Sequence, residues 1–162
     1  MPTAKVLTMR AVSRIFIHTA ATPVKSIDIS AAAIKAYHLG TLGWATAGYH
    51  YVVRKTGKVE ALVPVEKVSN GVKGANAHSL HICLSGNGDI EAPPKAQWDA
   101  AVELVARELR QLGLVEEFKA NPMRVMGHRE CHLLPGVPPT TKTCPGRKHD
   151  MTKFRQDVLK AL

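Results

Sequence analysis

The chain has no run approaching the roughly 20 consecutive apolar residues that a membrane-spanning helix requires. Arg10, Arg14, Lys25 and Asp28 interrupt the apolar N-terminal region. Nor do residues Met1 to Arg14 carry a secretory apolar core followed by a small-residue cleavage site, so synthesis in a cytoplasm without a signal peptide is expected. Cysteine is scarce. Cys83, Cys131 and Cys144 are odd in number and irregularly spaced, which argues against a disulfide framework and for a reduced compartment with one sulfur used chemically. Aromatic residues make up only 5% of the chain, leaving few candidates for stacking on single-stranded bases. Basic residues are scattered rather than massed, so no dedicated nucleic-acid site is expected. Internal repeats and low-complexity segments are also missing.

What is present fits one compact domain spanning residues 1–162, with 45% hydrophobic and 22% charged residues to build a core and a solvated surface. Lys and Arg outnumber Asp and Glu by 22 to 13, a formal charge of +9, which draws the molecule toward polyanionic surfaces.

Short apolar runs alternate with helical patterns. Arg14 to Thr19, rich in β-branched residues, reads as a buried strand ending at His18. Asp28-Ile29-Ser30 offers a helix start, and good helix formers run from Ala31 to His38 until Gly40 and Gly43. Gly48 to Arg54 and Val59 to Val63, joined by Lys55-Thr56-Gly57-Lys58, read as a β-hairpin. The Gly- and Asn-rich segment Val68 to His78 predicts a loop feeding a buried strand, Ser79 to Leu84, which the Gly86-Asn87-Gly88-Asp89 cluster ends. From Pro94 to Leu112, Trp98, Ala101, Val102, Val105, Leu109 and Leu112 recur at helical spacing, with Gly113 as the cap. Arg124 to Gly127 is a further strand delivering His128. A proline-studded loop from Arg129 to Arg147 follows, and Met151 to Leu162 predicts a closing helix. Strands interleaved with helices and one antiparallel hairpin argue for an α/β fold with a central mixed sheet flanked by helices.

His18, His128 and Cys144 fall at predicted strand ends or in the rigid loop. Two imidazoles and one thiolate make a three-ligand set that leaves a tetrahedral position open, the mark of a catalytic rather than a structural zinc. Cys131 and His132, three and four residues after His128, offer rival donors. A cysteine hydrolase using Cys144 as nucleophile would leave His18 and Tyr49 without a role. Cys83 sits among apolar neighbours and reads as core. His50, adjacent to Tyr49 on the hairpin, is expected on the opposite face from it.

The pieces around these positions carry a resemblance. They are Ile15-Phe16-Ile17-His18-Thr19-Ala20-Ala21-Thr22, Gly43-Trp44, Gly48-Tyr49-His50-Tyr51, the Lys55 to Val59 turn, Lys73-Gly74, Asn76, Ser79 to Leu84, Gly127-His128-Arg129-Glu130 and Lys142-Thr143-Cys144-Pro145-Gly146. In this order, spanning residues 15 to 146, the set resembles the zinc N-acetylmuramoyl-L-alanine amidases of the amidase-2 and peptidoglycan-recognition-protein group. The resemblance is greatest to the small phage amidases historically called lysozymes, which are endolysins.

The resemblance implies one Zn2+ per chain held by His18, His128 and Cys144, with Cys144 preferred to Cys131. It implies Tyr49 beside the attacking water and Lys142 facing the scissile carbonyl, with Lys73, Asn76 and His78 as candidates for substrate binding. Two departures stand out: Val72 replaces a histidine common before the Lys-Gly pair, and His78 and His81 stand where Asn and Gly are common. The implied reaction is hydrolysis of the amide between N-acetylmuramic acid and L-alanine in peptidoglycan. A lytic endolysin, acting as a monomer on an anionic cell envelope after release with a partner such as a holin, is the leading role. Cytosolic recycling of muropeptides and non-catalytic peptidoglycan binding are the alternatives.

Overall fold

The computed structural model describes residues 10–25 and 27–162. Most of the segment in which no signal peptide is expected, Met1 to Arg14, lies outside the described residues. Among the described residues no helix is long and apolar enough to cross a membrane.

A five-stranded mixed sheet runs in the order β3-β2-β4-β1-β5. The strands are β1 (Arg14–Thr19), β2 (Tyr51–Val53), β3 (Val59–Ala61), β4 (Ser79–Leu84) and β5 (Val125–Gly127). β1 lies between β4 and β5, parallel to both, while β2 pairs parallel to β4 and antiparallel to β3. Burial on both faces explains why β1 and β4 read as nearly continuous apolar runs instead of alternating ones.

One face carries Ile15, Ile17, Leu80, Ile82, Leu84 and Val53. It is covered by α2 (Lys95–Gln111), α3 (Val115–Ala120) and α4 (Met151–Ala161). Leu104, Val105 and Leu109 of α2, Phe118 of α3 and Phe154 and Val158 of α4 complete this core. Each fully buried Leu, Ile, Val or Phe side chain contributes about 1.5–3 kcal/mol of transfer free energy. Gln97 of α2 is buried because its amide donates to the Val53 and Ser85 carbonyls at 2.9 and 2.8 Å, satisfying carbonyls of β2 and of the turn after β4. The six-residue α3 has no counterpart in the sequence reading, since so short a segment shows no resolvable period.

The opposite face carries Phe16, His18, His81, Cys83, Val52 and Met126, and this is where the polar chemistry gathers. It is covered by α1 (Ala31–Ala36) and by the loop through Val72 and Ala75. Ser30 caps α1 through its hydroxyl, which accepts from the Ala33 amide at 3.1 Å. The expected helix to His38 instead widens after Ala36 into a π turn over Tyr37–Thr41, closed by Leu42 N–H to Tyr37 C=O at 2.9 Å. That turn places the buried His38 ring 5.5 Å from the Tyr49 ring.

The predicted first hairpin strand is shorter than expected, beginning at Tyr51 rather than Gly48. The expected separation of Tyr49 and His50 onto opposite faces does not hold. His50 stacks on His81 with ring centroids 6.0 Å apart, and Tyr49 lies 5.0 Å from His18, so both reach the His18 side. Strand alternation does not govern Tyr49 because it precedes the regular strand.

Candidate metal centre and active site

β1 delivers His18 one residue before its end, and β5 delivers His128 as the first residue of a 3-10 turn over His128–Leu133. The two rings meet edge to face with centroids 5.0 Å apart. Cys144 arrives from the proline-rich loop, its Sγ 3.7 Å from His18 Nδ1 and accepting the Thr19 amide at 3.3 Å. One donor atom from each of His18, His128 and Cys144 lies within 4.8 Å of the others. Tetrahedral zinc with ordinary Zn–N and Zn–S lengths needs donor separations of roughly 3.3–3.6 Å. The set therefore fits zinc in donor chemistry and is close to it in spacing.

The loop carrying Cys144 is held from both sides. The Arg129 amide donates to the Cys144 carbonyl at 2.7 Å, and its guanidinium donates to the carbonyls of Gly146 at 2.7 Å and His149 at 3.0 Å. Asp89 accepts from the Thr143 hydroxyl at 2.6 Å and the Arg147 amide at 2.8 Å. Gly88 and Gly146 approach so closely that a Cβ on either would collide with the other segment's backbone. The turn that ends β4 thus also docks the cysteine loop. On the other flank Glu130 accepts the Gly127 amide at 2.8 Å and forms a two-pronged pair with Arg155 of α4 at 2.9 and 3.1 Å, fixing the exit of β5.

Burial decides the protonation states. It holds the His18 imidazole well below the usual histidine range, with the neighbouring charges of His81, His128 and Lys142 adding to the effect. His128 is brought down to about 4, by burial and then by Lys142. Both rings are therefore neutral and able to donate a lone pair. Burial pushes the Cys144 thiol up to about 12, although the Thr19 amide and the charges of Lys142 and Arg129 pull it down. A thiol so protonated is a weak nucleophile, which disfavours the cysteine-hydrolase reading. The Tyr49 phenol is raised well above its ordinary value by burial and then by Cys83 and Cys144, so it remains an O–H donor.

The rival donors lie elsewhere. Cys131 is buried with Phe16, Val72, Ala75 and Met126, its Sγ 3.8 Å from the Pro138 carbonyl, and His132 is exposed. Cys83 packs with Ala31, Ile34 and Val52. Lys142 is exposed at the rim of the site. Of the substrate-binding candidates, Lys73 is exposed on the loop packed over this face. Asn76 spends its side-chain oxygen on the Gly71 and Val72 amides at 3.1 and 2.8 Å, which braces the loop.

His78 is exposed at the opposite end of β4, with Nδ1 2.8 Å from the Ala11 carbonyl. Five strand residues, about 16 Å, separate it from the level of His18, so it does not line the cleft expected of it. Not foreseen as site residues were His38, Arg129 and Asp89, which act through Tyr49 and the cysteine loop. A lone histidine, arginine or aspartate gives no sequence signal for such a role.

The sequence profile of the N-acetylmuramoyl-L-alanine amidase family matches residues 8–147. The chain belongs to this family. It is 35% identical over 97 residues to the endolysin of Klebsiella phage KP32, covering 60% of this chain and 63% of that one. The endolysin of Enterobacteria phage K11 is 34% identical over 102 residues, covering 60% of this chain and 66% of that one. The chain thus spans just under two thirds of these relatives. In fold it is similar to the N-acetylmuramoyl-L-alanine amidase LysC from Clostridium intestinale, with a TM-score of 0.75 at 18% identity over 94% of this chain and 87% of that chain.

Proposed function

We propose that the chain is a zinc-dependent N-acetylmuramoyl-L-alanine amidase that cuts the amide between the muramic acid lactyl group and L-alanine, acting as a phage-type endolysin. The observation that carries this reading is the convergence of His18, His128 and Cys144 to within 4.8 Å beside Tyr49. Similarity to phage endolysins supports the lytic role, and a holin remains the expected partner for release.

His18 through Nδ1, His128 and Cys144 through Sγ would hold the ion. When bound, zinc would supply Lewis acidity at the amide oxygen and lower the pKa of a water from 15.7 to about 7. The remaining work belongs to the side chains. Tyr49, kept protonated by burial, donates a hydrogen bond to the attacking oxygen or to the tetrahedral oxyanion. The Lys142 ammonium at the rim balances negative charge as it develops on the former carbonyl oxygen. Lys73, exposed on the loop packed over the Phe16 face, would meet a stem-peptide carboxylate.

Purified sacculi treated with the zinc-loaded protein should release stem peptides with free L-alanine N-termini, identified by mass spectrometry, and chelation should abolish the release. New reducing sugar ends would refute amide cleavage. Cutting of soluble muropeptides without clearing of sacculi would favour recycling, and binding without cutting would favour a recognition module.

A further inference from the structure

His81 is a fully buried histidine in the middle of β4 that the proposed mechanism does not use. Its Nδ1 lies 2.9 Å from His18 Nε2, the nitrogen of His18 that faces away from Cys144. Its ring is sandwiched between Phe16, stacked at 5.5 Å and 11°, and His50, stacked at 6.0 Å and 5°. The remaining nitrogen, Nε2, is buried and has no hydrogen-bond partner among the described residues. The backbone of Gly71 lies directly on the ring, since a Cβ there would fall inside van der Waals contact of His81 Nδ1, Cγ and Cε1. Residue 71 must be glycine for the ring to occupy this place.

We propose that His81 is a positioning residue for the metal centre, accepting a hydrogen bond from His18 Nε2–H and so fixing the His18 tautomer that leaves Nδ1 bare toward the ion. The proposal rests on the reading of His18 as a zinc ligand.

The tautomers of the two rings are linked. A neutral imidazole carries one N–H, so the single bond between His18 Nε2 and His81 Nδ1 has two possible directions. If His81 Nδ1 donated, His18 would carry its proton on Nδ1, the atom 3.7 Å from Cys144 Sγ, and that proton would block ligation. If His18 donates, Nδ1 is a free lone pair, and His81 must keep its own proton on the unpartnered Nε2. A buried donor without an acceptor is costly, and its presence here has an explanation in the ligand it serves.

His50 fixes the geometry from behind. Its Nδ1 accepts the His81 amide at 2.9 Å, so its Nε2–H donates to the Lys67 carbonyl at 2.8 Å, and the ring becomes a rigid backing plate for His81. Ring nitrogens of metal-bound histidines generally bond an oxygen acceptor, and loss of that partner lowers metal affinity by about 10–100-fold. Here an imidazole nitrogen takes the place of the oxygen, and Gly71 makes the room.

The test compares the full chain with H81N, H81L and G71A. Asn places Oδ1 near the position of Nδ1 and restores an acceptor, whereas Leu fills the space without one. Zn2+ affinity measured by chelator competition should fall at least ten-fold in H81L and G71A and recover to within about three-fold of the parent in H81N. Long-range 1H–15N spectra of the metal-free chain should show the His18 proton on Nε2 in the parent and in H81N, and mixed tautomers in H81L. Circular dichroism checks that H81L is folded, and if it is not, the H81N and G71A pair decides. Failure of the parent chain to bind Zn2+ would overturn the metal-site reading and this inference with it. Tight binding by the parent with equal affinity in H81L or G71A, or a parent His18 protonated on Nδ1, would overturn the role of His81 alone.

Discussion

A thiol whose proton is held up to about 12 by burial yields a thiolate only when a cation takes the proton's place, and this fixes the chemistry expected of Cys144. Binding of Zn2+ at pH 7 should therefore release at least one proton per chain, one from Cys144 and the excess from the bound water, read from calorimetric titrations in buffers of different ionisation heat. The neutral His18 and His128 rings have no proton to give up. Cys144→Ser should abolish stoichiometric zinc by elemental analysis and reduce peptidoglycan release to background. Tyr49→Phe and Lys142→Met separate chemistry from metal binding. Each should keep one zinc per chain, and loss of the Lys142 charge should cost about 10²–10³ in kcat, the usual effect of removing one oxyanion stabiliser.

Between residue and molecule stand the elements that carry the donors. The strands are rigid, but Cys144 is presented by a loop, and the loop's position depends on Arg129 and Asp89. Replacing Arg129 with Met removes three side-chain hydrogen bonds to the carbonyls of Thr143, Gly146 and His149 without touching a ligand. Zinc affinity should fall about 10–100-fold while most of the fold survives, measured by chelator competition beside urea denaturation.

Periodicity reveals α2 and α4, and the apolar runs reveal β1 and β4, because burial of a helix face or a whole strand leaves a regular trace in sequence. The π turn after α1 and the short α3 leave no such trace. Each is set by contacts made across the fold, such as His38 under Tyr49 or Phe118 in the core. Asn76 and His78 illustrate the same limit. Both are polar residues of the segment that feeds β4, yet one braces its loop and the other lies at the end of β4 far from His18.

At the scale of the whole molecule, buried histidines held neutral set the acid limit of stability, and two of them lie outside the His18, His128 and Cys144 cluster. His50, chiefly through burial with Arg10 adding to it, and His149, chiefly through burial with Arg129 adding to it, each fall to about 4. Their unfolded value is near 6.5, so the unfolded chain takes up these protons first as pH drops. Stability is complete above about 6.5 and is lost as pH falls from there through about 4, by up to about 1.4 kcal/mol per group per unit. Urea midpoints followed from pH 8 to 4 should stay level and then decline across that window. His50→Gln with His149→Gln should make the decline shallower, while His18, His81 and His128 keep the remainder.

The formal charge of +9 acts over a different range. Activity on sacculi should fall when salt is raised from 0.05 to about 0.5 M, where the Debye length drops below roughly 5 Å, while cleavage of a small neutral muropeptide changes little.

Amino-acid order alone fixed the α/β alternation, the apolar cores of the central strands, the basic charge and the presence of His18, His128 and Cys144 as candidate donors in their motif pieces. It did so because secondary-structure period and ligand chemistry are properties of residues taken a few at a time. The meeting of His18 with Cys144, 126 positions apart, the docking of Gly88 on Gly146 and the seating of His81 behind His18 were decided by the folded chain. Such contacts depend on which strands become neighbours and in what register, and that is settled only when the whole core closes.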